Sequence, residues 1–195
     1  MGQADKERWN TKYKDSQVVQ KLSTPIKLLT DNSHLASGKQ ALDIACGVGR
    51  HSKYLASEGF EVDALDISSV AIATLQNIKN IHAIEVDFDN YTLAKEKYDF
   101  IVCAYFLERK LFPQMIAALK ANGILLIETL LHDKDNEREP SNPNFLLKKG
   151  ELKSYFSKDC ELLMMKEWKE LDYKGNATMK ASMVAKKRGE QVISN

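Results

Sequence analysis

The chain has 195 residues, 44% of them hydrophobic and 28% charged, close to an average globular domain, and it is long enough to bury a core without disulfides or metals. Lys plus Arg number 28 and Asp plus Glu 27, a formal net charge of +1, so no global field grips nucleic acid or an anionic membrane surface. Cys46, Cys103 and Cys160 form no Cys-x-x-Cys, the start of the chain lacks an apolar leader, and no run approaches the ~18 apolar residues of a membrane span. These features predict a reduced, cytoplasmic domain without disulfide framework or metal cluster.

Taken in chain order, two helical stretches, Lys6–Lys14 and Pro25–Leu35, come first. Short apolar runs follow at Ala41–Ala45, Glu61–Asp66, His82–Val86, Phe100–Ala104 and Ile124–Leu130. Helical segments lie between them. One spans Arg50–Glu58 and ends at Gly59. A second is capped by Ser68, with Ala71, Leu75 and Ile78 on one face. A third starts near Pro113 and is expected to close at Asn122-Gly123. This alternation predicts right-handed βαβ units, and continuous apolar strands predict a sheet covered on both faces. The polar stretch 132–149 reads as the longest loop. Glu161–Leu171 and Ala177–Lys186, separated by Lys174-Gly175-Asn176, read as an antiparallel hairpin at the sheet's end. The expected fold is α/β: Rossmann-like, doubly wound and mostly parallel, with seven strands and a C-terminal antiparallel hairpin. Lys186-Lys187-Arg188 is expected to be a solvated tail.

The richest run is Leu42-Asp43-Ile44-Ala45-Cys46-Gly47-Val48-Gly49-Arg50-His51, a strand end, a glycine turn and a helix start. Such a turn lets backbone approach a ligand, and the helix start offers free N–H groups. A dinucleotide fingerprint wants a third glycine where Ser52 stands. Asp43 would also repel a pyrophosphate; it suits a cationic ligand such as S-adenosylmethionine. Asp66, ending the second strand, is placed to accept both hydrogens of a ribose diol. Asp87 and Phe88, after the third strand, offer an acceptor and a ring face to an adenine. Acids at three successive strand ends converge on one crevice.

These residues resemble the class I S-adenosylmethionine-dependent methyltransferases, over about residues 40–130 and onward into the hairpin. Asp43-x-Ala45-Cys46-Gly47-x-Gly49, Asp66 and Asp87-Phe88 are similar to that family's successive motifs, with Ala45 where many members carry glycine. Gly49-Arg50-His51, Glu58 through Asp66, Phe106-Leu107-x-Arg109, Asn142 through Leu147 and Trp9-Asn10-x-x-Tyr13 resemble a narrower branch, the small bacterial tellurite-resistance and thiopurine-type methyltransferases.

The resemblance implies one methyltransferase domain over 1–195. Residues 1–38 would be lid helices, 39–131 the cofactor-binding core, and 132–195 the acceptor-side loop and hairpin. S-adenosylmethionine would be the cofactor and S-adenosylhomocysteine its product, held by Trp9, Tyr13, Asp43, Ala45, Gly47, Gly49, Arg50, Asp66, Ile67, Asp87, Phe88 and Ala104. Tyr105, Arg109 and His51 are the catalytic candidates: Arg109 to grip a small anion, His51 as base or oxyanion donor. Each has a plainer alternative in packing or solvation. His132 and Arg138 lie toward the expected acceptor side, and Cys46 reads as a small turn residue. The expected partner is a small-molecule or small-anion methyl acceptor, with thiols and chalcogen oxyanions as candidate chemistries. No nucleic acid or membrane is expected, and the chain is expected to be a monomer or weak homodimer. The alternatives are methylation of RNA or protein, and a binding module for S-adenosylmethionine without turnover.

Overall fold

A computed structural model describes residues 2–21, 23–137, 142–171 and 175–189, with Val18 and Lys21 as backbone only. Arg138 and Lys174 therefore lie outside the described residues. Seven strands form one sheet in the order β3-β2-β1-β4-β5-β7-β6. They are β1 (Gln40–Ile44), β2 (Glu61–Asp66), β3 (Ile81–Glu85), β4 (Tyr98–Ala104), β5 (Leu119–Leu130), β6 (Cys160–Leu171) and β7 (Ala177–Lys187). β1 to β5 pair in parallel, and β7 runs antiparallel between β5 and β6. The expected doubly wound, Rossmann-like sheet with a C-terminal hairpin is what the chain forms.

Strand alternation builds the two sides of the core. Leu42, Ile44, Ile101, Cys103, Leu125 and Ile127 pack with Phe112, Met115 and Phe156 from α6 (Phe112–Ala118) and α7 (Glu151–Phe156). Ala41, Phe100, Val102, Ile124 and Leu126 pack on the other side with Leu29 of α3 (Lys27–Asn32), the helix after the short α2 (Ser16–Lys21), and with Leu55 of α4 (Arg50–Ser57). Both faces are covered, which explains why these strands read as unbroken apolar runs.

Local punctuation works mostly as the sequence implies. Gly59, at φ +83°, ends α4: its N–H reaches Ala56 O at 3.1 Å and the Phe60 N–H reaches Leu55 O at 3.0 Å, a Schellman closure. The Ser68 hydroxyl accepts from Ala71 N at 3.2 Å and caps α5 (Ser69–Ala73), which stops before Leu75 and Ile78.

Two expectations need correction. Asn122-Gly123 does not close α6. That helix ends at Ala118, and β5 begins at Leu119. Tyr98 faces Leu119 while Phe100 faces Ile124, so the extra residues form a bulge with Asn122 at φ +64°. Lys186-Lys187-Arg188 is not a free tail. The two lysines belong to β7, Lys187 Nζ donates to Leu119 O at 2.6 Å, and the Arg188 N–H donates to Asp159 O at 3.0 Å. No helix among the described residues is long and apolar enough to cross a membrane.

Candidate functional site

The carboxyl ends of β1, β2 and β4 open onto a cleft of about 330 Å³. Trp9, Lys12, Tyr13, Ala45, Cys46, Gly47, Val48, Arg50, His51, Asp66, Ile67, Phe88, Ala104, Tyr105 and Phe106 line it. Its floor is the turn from β1 to α4, where Ala45, Gly47 and Gly49 stand at φ +55°, +54° and +76°. Two of these left-handed positions carry glycine, as the absence of a β-carbon allows. A β-carbon on Gly47 would lie 2.6 Å from the Tyr13 hydroxyl, and one on Gly49 would lie 2.4 Å from Leu75 Cδ2.

Asp66 ties this turn to α5. Its Oδ2 accepts from Gly47 N and its Oδ1 from Ser68 N, each at 2.8 Å. Burial raises its pKa, while the Ser68 and Gly47 N–H groups pull the other way. With the Ile67 N–H also directed at it, the carboxylate keeps at least one of its roughly four acceptor positions for a ligand.

Asp43 lies beneath the turn rather than in the cleft lining. Its Oδ2 accepts from the Ser52 hydroxyl at 2.6 Å. Its Oδ1 is 3.8 Å from His51 Nδ1, beyond hydrogen-bonding distance. Among the described residues, Asp43 Oδ1 and His51 Nε2 are buried without hydrogen-bond partners. Such orphans are rare in a folded chain, and His51 borders the cleft. Burial, with Asp43 and Asp66 nearby, pushes the Cys46 thiol far up, so it stays protonated.

Asp87 lies outside the main cleft. It lines a second hollow with Gly2, Gln3, Lys6, Glu85 and Val86, and Ile67 borders both spaces. The helix α1 (Gln3–Tyr13) covers this side, although none of its residues is fully buried. Asn10 fastens it: its Oδ1 accepts from the Ser68 hydroxyl at 2.7 Å and from Val70 N at 3.3 Å. Lys6 pairs with Glu85. The Trp9 and Tyr13 rings stack at 5.5 Å over the cleft.

Tyr105 follows β4 directly, at φ +55°, a costly backbone conformation for an aromatic residue. Its hydroxyl donates to Glu128 Oε1 at 3.0 Å and accepts from Lys180 Nζ at 2.8 Å. Arg50 Cζ sits 5.4 Å from its ring centroid. Arg109 departs from expectation. It does not line the cleft, and its guanidinium makes four hydrogen bonds elsewhere: to Glu151 Oε1 at 2.5 Å, Glu151 Oε2, Asn144 O and Leu146 O, the last three each at 2.9 Å. The planar fork that suits a small anion is filled by Glu151 and fastens the segment after β5. His132 is exposed and absent from the lining.

Sequence reasoning brought Trp9, Tyr13, Ala45, Gly47, Arg50, His51, Asp66, Ile67, Phe88, Ala104 and Tyr105 to one cleft, with Asp43 and Gly49 as supports beneath it. It missed Lys12 and Val48 in the lining. It also missed Glu128, which reaches Tyr105 through the pairing of β4 with β5, and Lys180, which reaches it because β7 folds back beside β5. Lys12 was legible, being one turn from Trp9 on the same helix.

Known proteins share this fold and sequence. The "Probable S-adenosyl-L-methionine-dependent methyltransferase TehB" of Haemophilus influenzae is 32% identical over 177 residues, covering 82% of this chain and 61% of that protein. The chain thus spans about three fifths of the length of the curated relatives it matches first. The crystal structure of TehB from the same organism superposes with a TM-score of 0.71 at 27% identity, covering 94% of this chain and 67% of that one. A Burkholderia thailandensis 1,6-didemethyltoxoflavin-N1-methyltransferase, solved with S-adenosylhomocysteine, shares the fold at a TM-score of 0.69 and 15% identity, covering 94% of this chain and 87% of that one. The family model described as "Tellurite resistance protein TehB" matches residues 4–182, and the chain belongs to that family.

Proposed function

We propose that the chain is an S-adenosylmethionine-dependent methyltransferase acting on a small-molecule acceptor, with thiols and chalcogen oxyanions as the leading chemistries. One observation carries the reading: a left-handed glycine turn, a buried Asp66 with acceptor capacity to spare, and an orphaned His51 nitrogen meet at one cleft. The relatives named above support it, as does the cofactor solved in the toxoflavin enzyme.

The residues fit that cofactor. Gly47 brings backbone to the cleft wall with the Tyr13 hydroxyl packed where a β-carbon would lie, so a side chain there would displace Tyr13 and narrow the cleft. Asp66 would take the ribose diol with its remaining lone pairs, and Ile67, Phe88 and Asp87 would frame the adenine. Asp43, buried below the turn, suits positive charge, and Gly49 lets α4 start against Leu75. Trp9 and Tyr13 would cover the ligand, and Ala104 leaves room beside Tyr105. When bound, the sulfonium supplies an electrophilic methyl carbon. The protein's task is then largely positioning and exclusion of water, worth up to roughly 7–11 kcal/mol of barrier. His51 Nε2 would act at the cleft as acceptor or donor for the substrate. In this reading the chain works as one methyltransferase domain in the cytoplasm, as a monomer or weak homodimer.

The test is methyl transfer to a panel of thiols, thiopurines and chalcogen oxyanions, read as S-adenosylhomocysteine formed. Product with a small acceptor, and none with RNA or protein, is the expected result. Tight cofactor binding without product across the panel would favour a binding module instead.

A further inference from the structure

Glu128 and Lys180 serve no purpose in the cofactor reading, yet they converge on Tyr105, the cleft residue that directly follows β4. Glu128 is 7% exposed and pairs in register with Ala104. Lys180 lies on β7 and also pairs with Glu170 of β6. Arg50 of α4 covers the Tyr105 ring. Among the described residues, Glu128 and Lys180 thus bond the Tyr105 hydroxyl, Arg50 covers its ring, and Glu170 reaches it only through Lys180.

Their chemistry fixes the direction of the chain of hydrogen bonds. An ammonium only donates and a carboxylate only accepts. The Tyr105 oxygen must therefore accept from Lys180, and its proton must point at Glu128. A phenol oxygen has two lone pairs, so one remains. The backbone holds the arrangement from behind: the Tyr105 N–H donates to Glu128 O at 2.8 Å, and Tyr105 keeps its left-handed φ. Burial raises the phenol's pKa; the bond from Lys180 opposes this, and the Glu128 charge adds to it. The hydroxyl thus stays protonated and is not a phenolate base.

We infer that Glu128, acting through the Tyr105 hydroxyl, receives the proton of an acceptor whose nucleophilic atom arrives protonated, such as a thiol or hydroxyl group. This rests on the methyltransferase reading above. The acceptor's X–H donates to the free lone pair of Tyr105. As its proton moves to the Tyr105 oxygen, the phenol proton moves to Glu128 Oε1, leaving a neutral tyrosine and a neutral carboxylic acid. The electron pair left on X forms the bond to the methyl carbon, while the pair of the broken carbon–sulfur bond stays on the donor's sulfur. Glu128 is then a positioning and relay residue, and Tyr105 is the group that touches the substrate.

Two measurements on the full chain test this. In protein carrying ¹³Cζ-tyrosine, with the Tyr105 resonance identified by Tyr105→Phe, Glu128→Gln should lower the pH midpoint at which Tyr105 ionises. An unmoved midpoint would overturn the relay without reference to any cofactor. In turnover, Glu128→Gln and Tyr105→Phe should each lose at least tenfold in kcat with an alkanethiol, with the remaining rate climbing as pH rises. With a nitrothiophenol, already ionised near neutral pH, both should stay within about twofold of wild type. Equal losses on the two thiols, or none on either, would contradict the inference alone. Wild-type protein that forms S-adenosylhomocysteine only with chalcogen oxyanions would contradict the inference alone, and none with any member of the acceptor panel would contradict the parent reading and the inference with it.

Discussion

The Tyr13 hydroxyl rests against Gly47, so close that a β-carbon on that glycine would sit 2.6 Å from it. The contact joins α1, a helix with no fully buried residue, to the turn that forms the cleft floor. It makes the glycine turn the place where substitution separates folding from binding.

Gly47→Ala and Gly49→Ala both place a side chain at positive φ, which costs about 1–2 kcal/mol. They differ in what the new methyl meets. At Gly47 it meets the tip of a side chain that can swing away. At Gly49 it meets Leu75, fully buried in the core. Overpacking there adds roughly 1–3 kcal/mol. Urea denaturation should therefore rank Gly49→Ala as the more damaging to stability. Gly47→Ala should remain folded and lose cofactor affinity. Equal destabilisation by both would show that Tyr13 is as rigid as the core.

Asp66→Ala removes the acceptor for Gly47 N and Ser68 N together with the proposed ribose contact. Losing charge-assisted hydrogen bonds of this kind costs roughly 1.5–3 kcal/mol. Calorimetry should show S-adenosylmethionine and S-adenosylhomocysteine weakened alike, since the sulfonium is not what Asp66 is proposed to touch. A loss of stability with unchanged affinity for both would reduce Asp66 to a strut between turn and helix.

His51 carries an unpartnered, buried Nε2. A group kept unsatisfied in the folded state is the kind of cost that functional sites retain. His51→Leu should hold or raise Tm while turnover falls at least tenfold. A drop in Tm of several degrees would instead mark the imidazole as a packing element.

Arg109 and Glu151 make a pH-dependent clasp. The hydrogen bond from Arg109 holds the Glu151 carboxyl below its ordinary value of 4.5, against the opposing effect of its burial. A carboxyl lowered in the folded state stabilises the fold fully above that ordinary value, and the gain disappears as pH falls through the lowered one. Arg109→Lys, which loses the two-pronged fit, should cost about 1 kcal/mol at pH 7, a modest figure because the pair is partly exposed. The gap to wild type should begin to close as the pH drops below 4.5 and vanish as it falls through the lowered value of the folded state. Hydrogen exchange should quicken over 142–147 while cofactor affinity holds. A variant with weakened cofactor binding would return Arg109 to the cleft.

What was readable in the sequence was what local chemistry dictates. Gly47, Gly49 and Gly59 mark left-handed turns, and Ser68 marks a helix start, because few residues serve those positions. Unbroken apolar runs gave away a sheet covered on both faces. What was not readable depends on residues brought together from far along the chain. Nothing near Arg109 announces that its partner stands 42 positions later. Glu128 looks like one polar residue ending an apolar strand until β7 lays Lys180 beside it. Asn122-Gly123 carries the signature of a helix end, and the bulge in β5 uses the same left-handed turn. Asn10 resembles any surface asparagine, yet it pins α1 to the start of α5.

That pin makes a prediction of its own. With so little of α1 buried, its exchange should be fast in the free protein and slow when the cofactor lies beneath Trp9 and Tyr13. Hydrogen exchange over residues 3–13, with and without S-adenosylmethionine, should show at least a tenfold slowing. Asn10→Ala should abolish most of it. Equal protection in both states would make α1 a fixed wall of the cleft.

The most direct test of the cleft as a cofactor site is a titration of S-adenosylhomocysteine into ¹⁵N-labelled protein. Amide shifts should concentrate at Gly47, Asp66, Ile67, Phe88 and Ala104, with saturation and one-to-one stoichiometry. Shifts confined to other surfaces, or none at millimolar ligand, would contradict the assignment of this cleft and the methyltransferase reading built on it.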